Sequence, residues 1–118
     1  MLGDISKADQ IYIVTGYTDM RKSIDGLAIL VQQNFNLDPC TNTLFLFCGR
    51  GSSKIKALYW EEDGFVLLYK RLENGKFKWP RNEQEARLLT AQQFRWLMEG
   101  LDIEQKKVIK KAAPKLVI

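Results

Sequence analysis

The sequence predicts a single α+β domain: an antiparallel meander sheet of four to five strands, with one long N-terminal helix and a C-terminal helix packed on it. Three observations carry that expectation. Runs of β-branched and aromatic residues, broken by Gly-, Asn- and Asp-containing turns, fill residues 44–79. Stretches with apolar residues at helical spacing lie on either side of them. A chain of 118 residues, 46% hydrophobic and 27% charged, is large enough for one core and too small for two.

Taken in order, Gln10-Ile11-Tyr12-Ile13-Val14-Thr15 reads as a strand that ends at Gly16. Thr18-Asp19 offers a helix N-cap, because a short side-chain oxygen there can accept from a free backbone N–H. Met20, Ile24, Leu27, Leu30 or Val31 and Phe35 then form an apolar stripe for a helix of about four turns. Gly26 lies inside that helix, where close packing against the sheet would offset its cost of about 1 kcal/mol relative to alanine. Leu37-Asp38-Pro39 breaks it.

Leu44-Phe45-Leu46-Phe47-Cys48 is apolar on both faces and predicts a central strand. After the turn Gly49–Ser53 come a second strand over Lys54–Trp60, a tight turn at Glu62-Asp63-Gly64, and a third strand over Phe65–Arg71. Glu73-Asn74-Gly75 reads as a further hairpin turn into a short fourth strand, Lys76-Phe77-Lys78-Trp79, stopped by Pro80. The Gln10–Thr15 strand joins at an edge or pairs elsewhere. Thr90-Ala91-Gln92-Gln93 is a capping box for a second helix with Phe94, Leu97, Met98 and Leu101 as its stripe, which Gly100 helps to end. Residues 1–103 thus form the domain. Residues 104–118 form a lysine-rich tail, helical in part, whose Val108, Ile109, Leu116 and Val117 suit a docking segment or a solvated terminal helix.

Composition narrows the chemistry. There is no histidine, and Cys40 and Cys48, eight apart, form no C-x-x-C motif, so neither a metal site nor a Cys or Ser nucleophile with its usual base is expected. Asp19 and Asp25 read as a cap and a helix-surface residue rather than as paired metal carboxylates, and Glu61-Glu62-Asp63 sits in a turn. No phosphate-binding glycine motif occurs, and no cofactor is expected. No apolar run reaches the roughly 18–20 residues of a membrane span. Met1–Gln10 is polar, unlike a signal peptide, and the expected location is the cytoplasm, with both cysteines as free thiols.

The net charge of +4 is unevenly placed. Residues 1–49 hold three basic and five acidic groups, whereas residues 50–81 hold eight basic and four acidic. Side chains alternate along a strand, so Lys54 and Lys56 share one face, Lys76 and Lys78 share one face, and Lys70 and Arg71 point oppositely. With Arg50 and Arg81 at the ends, these eight residues are the candidate phosphate contacts of a basic strip, and Tyr59, Trp60, Tyr69 or Trp79 are candidate stacking partners. The competing structural reading is that the lysines solvate an open sheet face while the aromatics fill the core. Arg21 and Lys22 are subsidiary candidates.

The ordered strings Thr18-Asp19-Met20-Arg21-Lys22-Ser23-Ile24-Asp25-Gly26-Leu27, Leu44–Phe47, Asp63-Gly64-Phe65, Tyr69-Lys70-Arg71-Leu72-Glu73, Gly75-Lys76-Phe77-Lys78-Trp79-Pro80 and Leu89–Gln93 resemble the TnpB-type accessory protein of bacterial insertion sequences of the sixty-six family. The resemblance runs from Ile11 to Asp102. One departure stands out: the turn Cys48–Ser53 has a single arginine where relatives carry several. The resemblance implies a non-catalytic factor in transposition that works beside a separate, larger transposase, and it supplies no catalytic residue. The expected partners are the transposase of the same element and DNA, the insertion-sequence ends among it. The expected mode is contact with DNA, or with the transposase–DNA complex, through the basic sheet face. The alternative is an adaptor that touches the transposase and no DNA.

Overall fold

β2 (Thr43–Cys48) is buried along its whole length, on both faces, and therefore needs a strand on each side and a layer above and below. The computed structural model, which describes residues 7–105, supplies all four. The elements run β1 (Gln10–Val14), α1 (Ile24–Phe35), β2, β3 (Lys54–Trp60), β4 (Phe65–Arg71), β5 (Ala86–Leu89) and α2 (Ala91–Met98). They build one five-stranded sheet in the order β4-β3-β2-β1-β5.

The hairpins β2–β3 and β3–β4 are antiparallel as expected, with Leu46 opposite Ala57 and Ala57 opposite Leu68. The sheet as a whole is not. β1 pairs with β2 in parallel, Tyr12 beside Phe45, so β1, α1 and β2 form a β-α-β crossover. The sheet is mixed, and its meander has three strands rather than four. Lys76–Trp79 is not a strand. Phe77 and Trp79 are buried and the lysines exposed, but the segment is held by Phe77 N–H donating to Ser52 O and by the indole Nε1–H of Trp79 donating to Val14 O at 2.9 Å. The fifth strand is instead β5, which pairs antiparallel with β1, Tyr12 opposite Leu88, and makes β1 an interior strand.

The two helices lie on opposite faces. On one, Leu27 and Val31 of α1 pack with Val14, Phe45, Phe47 and Leu58. On the other, Phe94 and Leu97 of α2 join Ile13, Leu44, Leu46, Ile55 and Ala57, together with Phe77, Trp79 and Ile103. Each Val, Leu, Ile or Phe side chain so buried contributes about 1.5–3 kcal/mol, so three layers arise from two-sided apolar strands.

α2 carries both halves of the expected capping box: Thr90 Oγ1 accepts from Gln93 N–H at 3.0 Å, and Gln93 Oε1 accepts from Thr90 N–H at 2.9 Å. Gly100, at φ +83, turns the chain after it. α1 is shorter than expected, 12 residues, and starts after Ser23 rather than Thr18-Asp19. Asp19 caps a local turn instead, because its carboxylate accepts from Arg21 N–H, while Asn36 in the left-handed region ends the helix before Pro39. Gly26 does not face the sheet; a side chain there would meet the stem of Lys22 at 3.4 Å. The expected tail structure falls largely on residues 106–118, outside the described residues.

A candidate nucleic-acid interface at the carboxyl ends of β1 and β2

In open sheets with parallel strands, ligand sites form beyond the carboxyl ends of those strands, where the chain must leave the sheet and the loops diverge. Here the loop after β1 and the turn after β2 leave side by side. Thr18 N–H donates to Cys48 O at 2.8 Å, tying one to the other. Gly49 allows the close approach: a Cβ on it would stand 2.7 Å from Met20 Cγ. On the α2 side, the strap 79–85 closes the same strand ends. Thr15 Oγ1 donates to Glu83 O and accepts from Glu85 N–H, and Gly16 N–H donates to Pro80 O.

On the α1 side the strand ends stay open as two adjoining clefts. The first, of about 540 Å³, is lined by Tyr17–Arg21 and by Gly49, Arg50, Gly51, Ser53 and Lys54. The second, of about 650 Å³, adds Lys56, Leu67 and Tyr69. They share Asp19, Met20, Arg21 and Lys54 as a common wall.

The charge here is mainly positive. Arg50 lies 4.5 Å over the Tyr17 ring and donates to its hydroxyl at 2.9 Å. Lys56 Nζ donates to Lys22 O at 2.7 Å and lies 5.9 Å from the Tyr69 ring centre. Lys54 projects from the same face as Lys56, opposite Arg71, which pairs with Glu73 at 2.9 Å. Asp19 is the one acid in either lining. The Arg21 guanidinium grips both of its oxygens, and this hydrogen bonding holds its carboxyl down at about 2. At the floor, Thr18 is 4% exposed and its hydroxyl is, among the described residues, the one buried side-chain oxygen with no hydrogen-bond partner.

Of the eight residues expected to form one strip, the structure brings together Arg50, Lys54, Lys56 and Arg71, along with Arg21 and Lys22. It separates the others. Lys70, opposite Ile55, is on the α2 face. Lys76 and Lys78 leave the sheet altogether, and Lys78 reaches Asp102 at 3.9 Å. Arg81 is a structural clamp: its guanidinium donates to Gly16 O at 2.8 Å, to Gly49 O at 2.7 Å, to Arg50 O and to Ser52 Oγ. Among the aromatics named with the strip, Trp79 is core, Tyr59 packs on the α2-side core and Trp60 packs edge-on against Phe65, which leaves Tyr69 exposed. Sequence reasoning missed Tyr17, 52% exposed; its signal was an aromatic directly after the glycine that ends a strand.

Elsewhere the site chemistry is quiet. The Cys48 thiol, buried beside Ile55, is pushed up to about 11, mainly by desolvation, while Cys40 is exposed. Among the described residues no three carboxylate or thiol groups converge as metal ligands, and no helix is long and apolar enough to cross a membrane.

The family profile described as IS66 Orf2 like protein matches residues 9–108. The chain belongs to that family. An IS66 Orf2-like protein is implied to have an accessory role in transposition, in association with the transposase. Two proteins of Sinorhizobium fredii (strain NBRC 101917 / NGR234) are similar to this IS66 Orf2-like chain. Uncharacterized protein y4hO is 38% identical over 93 residues, covering 79% of this chain and 81% of that protein. Uncharacterized protein y4jC is 31% identical over 97 residues, covering 82% and 83%. No solved structure matches the chain significantly.

Proposed function

We propose that this IS66 Orf2-like protein assists transposition by contacting DNA, alone or within the transposase–DNA complex, through the basic rim of the cleft on the α1 side. The observation that supports this reading is the gathering of Arg50, Lys54 and Lys56 at one end of the sheet, beside Arg21 and Arg71, which are paired with Asp19 and Glu73. The role is one of binding rather than catalysis. Lysine and arginine at such a rim neutralise phosphates and release counterions, which gives sequence-independent, salt-sensitive affinity.

Fluorescence-anisotropy titration against insertion-sequence end DNA and random DNA, at low and moderate salt, tests it. With about four phosphates neutralised, log K against log salt has a slope of about −3 to −4 on duplex DNA. Combined reversal of Arg50, Lys54 and Lys56 to glutamate abolishes that binding, while reversal of Lys76 and Lys78 leaves it nearly intact. The converse pattern would sink the assignment.

A second reading, an adaptor that touches the transposase and no DNA, draws on β5. Among the described residues this edge strand pairs on one side only, and it carries Leu88, 55% exposed. On that reading the isolated protein binds no DNA at low salt until transposase is added.

A further inference from the structure

The cleft holds more than charge. Each half contributes one half-exposed tyrosine, Tyr17 in the first and Tyr69 in the second, at 52% and 53% exposure. Each ring has a cation on or near it, Arg50 or Lys56. Between them runs the shared wall of Asp19, Met20, Arg21 and Lys54. Large exposed aromatics are otherwise scarce here. The sheet's other rings lie in the core or against neighbours, as Tyr12 stacks on Phe45 and Trp60 meets Phe65.

Duplex DNA hides its base faces inside the stack and offers a protein rim only its phosphates and groove edges. Tyrosine rings set among arginine and lysine gain from a strand whose bases are unstacked, because a base can lie on the ring while the cations follow the backbone.

We infer that the cleft takes single-stranded DNA, with bases on Tyr17 and Tyr69 and the intervening phosphates on Arg50, Lys54 and Lys56. This rests on the DNA-contact reading above and sharpens it from any DNA to an unpaired strand. Asp19 does not oppose it strongly, since both its oxygens are held by Arg21.

The test uses the full chain and two fluorescent probes of equal length, an oligothymidylate and a mixed-sequence duplex, titrated by anisotropy at low salt. The expected result is tighter binding of the single strand. Tyr17→Leu and Tyr69→Leu each weaken single-strand binding by ~5- to 100-fold, the loss of one stacked base, and leave duplex affinity within about twofold. Tyr69→Phe, which keeps the ring, binds as the unaltered protein does. Both tyrosines lie outside the buried core, so unchanged thermal melting verifies folding. Equal affinity for the two probes, or leucine variants that bind the single strand normally, overturns this inference and leaves the basic rim as a duplex contact. Binding of neither probe overturns this inference together with DNA contact by the protein alone.

Discussion

The ends of β1 and β2 are flanked by two arginines, Arg81 and Arg50, put to opposite use. On the α2 side, Arg81 of the strap aims its guanidinium at Gly16 O, Gly49 O, Arg50 O and Ser52 Oγ. On the α1 side, the Arg50 side chain makes, among the described residues, one hydrogen bond, to the Tyr17 hydroxyl, and rests on that ring. A guanidinium is a planar fork of N–H donors. Where backbone carbonyls at strand ends fill the fork, the residue closes the fold. Where an aromatic face supports it and, among the described residues, most donors stay unengaged, it has donors that a ligand could take. Charge alone does not separate the two cases; the acceptors in reach do.

Three measurements can break or sharpen that contrast. The largest effect belongs to the strap. Trp79→Ala removes a 5%-exposed indole together with its bond to Val14 O, and is expected to destabilise the fold by about 3–5 kcal/mol in urea unfolding. A loss under ~1 kcal/mol would mean that the strap does not close the sheet.

Next comes the arginine pair. Arg81→Met is expected to lower stability by about 1–3 kcal/mol, since carbonyls at the strand ends lose a charged donor. Arg50→Met leaves stability within ~0.5 kcal/mol and lowers DNA affinity. If both substitutions act alike in both assays, the distinction between clamp and contact is wrong.

The smallest effect is a titration on the cleft side. The Arg21 hydrogen bonds favour ionised Asp19, so its carboxyl titrates at about 2 rather than the ordinary 3.8. Because the folded value is the lower one, the associated stabilisation is present above 3.8 and disappears as pH falls through about 2. Carboxyl NMR on the unaltered protein and on Arg21→Ala reads this directly: the variant's Asp19 moves up toward the ordinary value. No movement would show that Arg21 is not its partner.

Much of this fold was legible in the sequence where the signal is local. The Thr90–Gln93 box, the β3–β4 turn and the two-sided apolar run of β2 each specify their element through neighbouring residues. What misled was alternation without a ladder. Lys76-Phe77-Lys78-Trp79 alternates because it has a wet side and a dry side, but period-two burial does not require hydrogen-bonded strands alongside. β5 was missed for the converse reason: it is four residues long, includes Arg87, and follows the acidic stretch Glu83–Glu85. Its partner is distant in sequence, and no local pattern reports that β1 will be interior. The candidate site followed the same rule. Face-sharing by Lys54 and Lys56 was readable from spacing, whereas Arg81's carbonyls and Tyr17's place beside Arg50 come from chain segments 30 to 65 residues away.

The pairing of β1 with β5 also bears on how the chain is made. Ile11 lies opposite Leu89, so one side of β1 waits for residues added about 78 positions later in the chain. At ~5–20 residues per second on the ribosome, that interval is several seconds, and long-range pairings of this kind are slow to close in refolding as well. Until β5 arrives, the nascent protein exposes a β-branched edge, Ile11-Tyr12-Ile13-Val14, of the sort that other chains readily join. The arrival of β5 closes that edge to other chains.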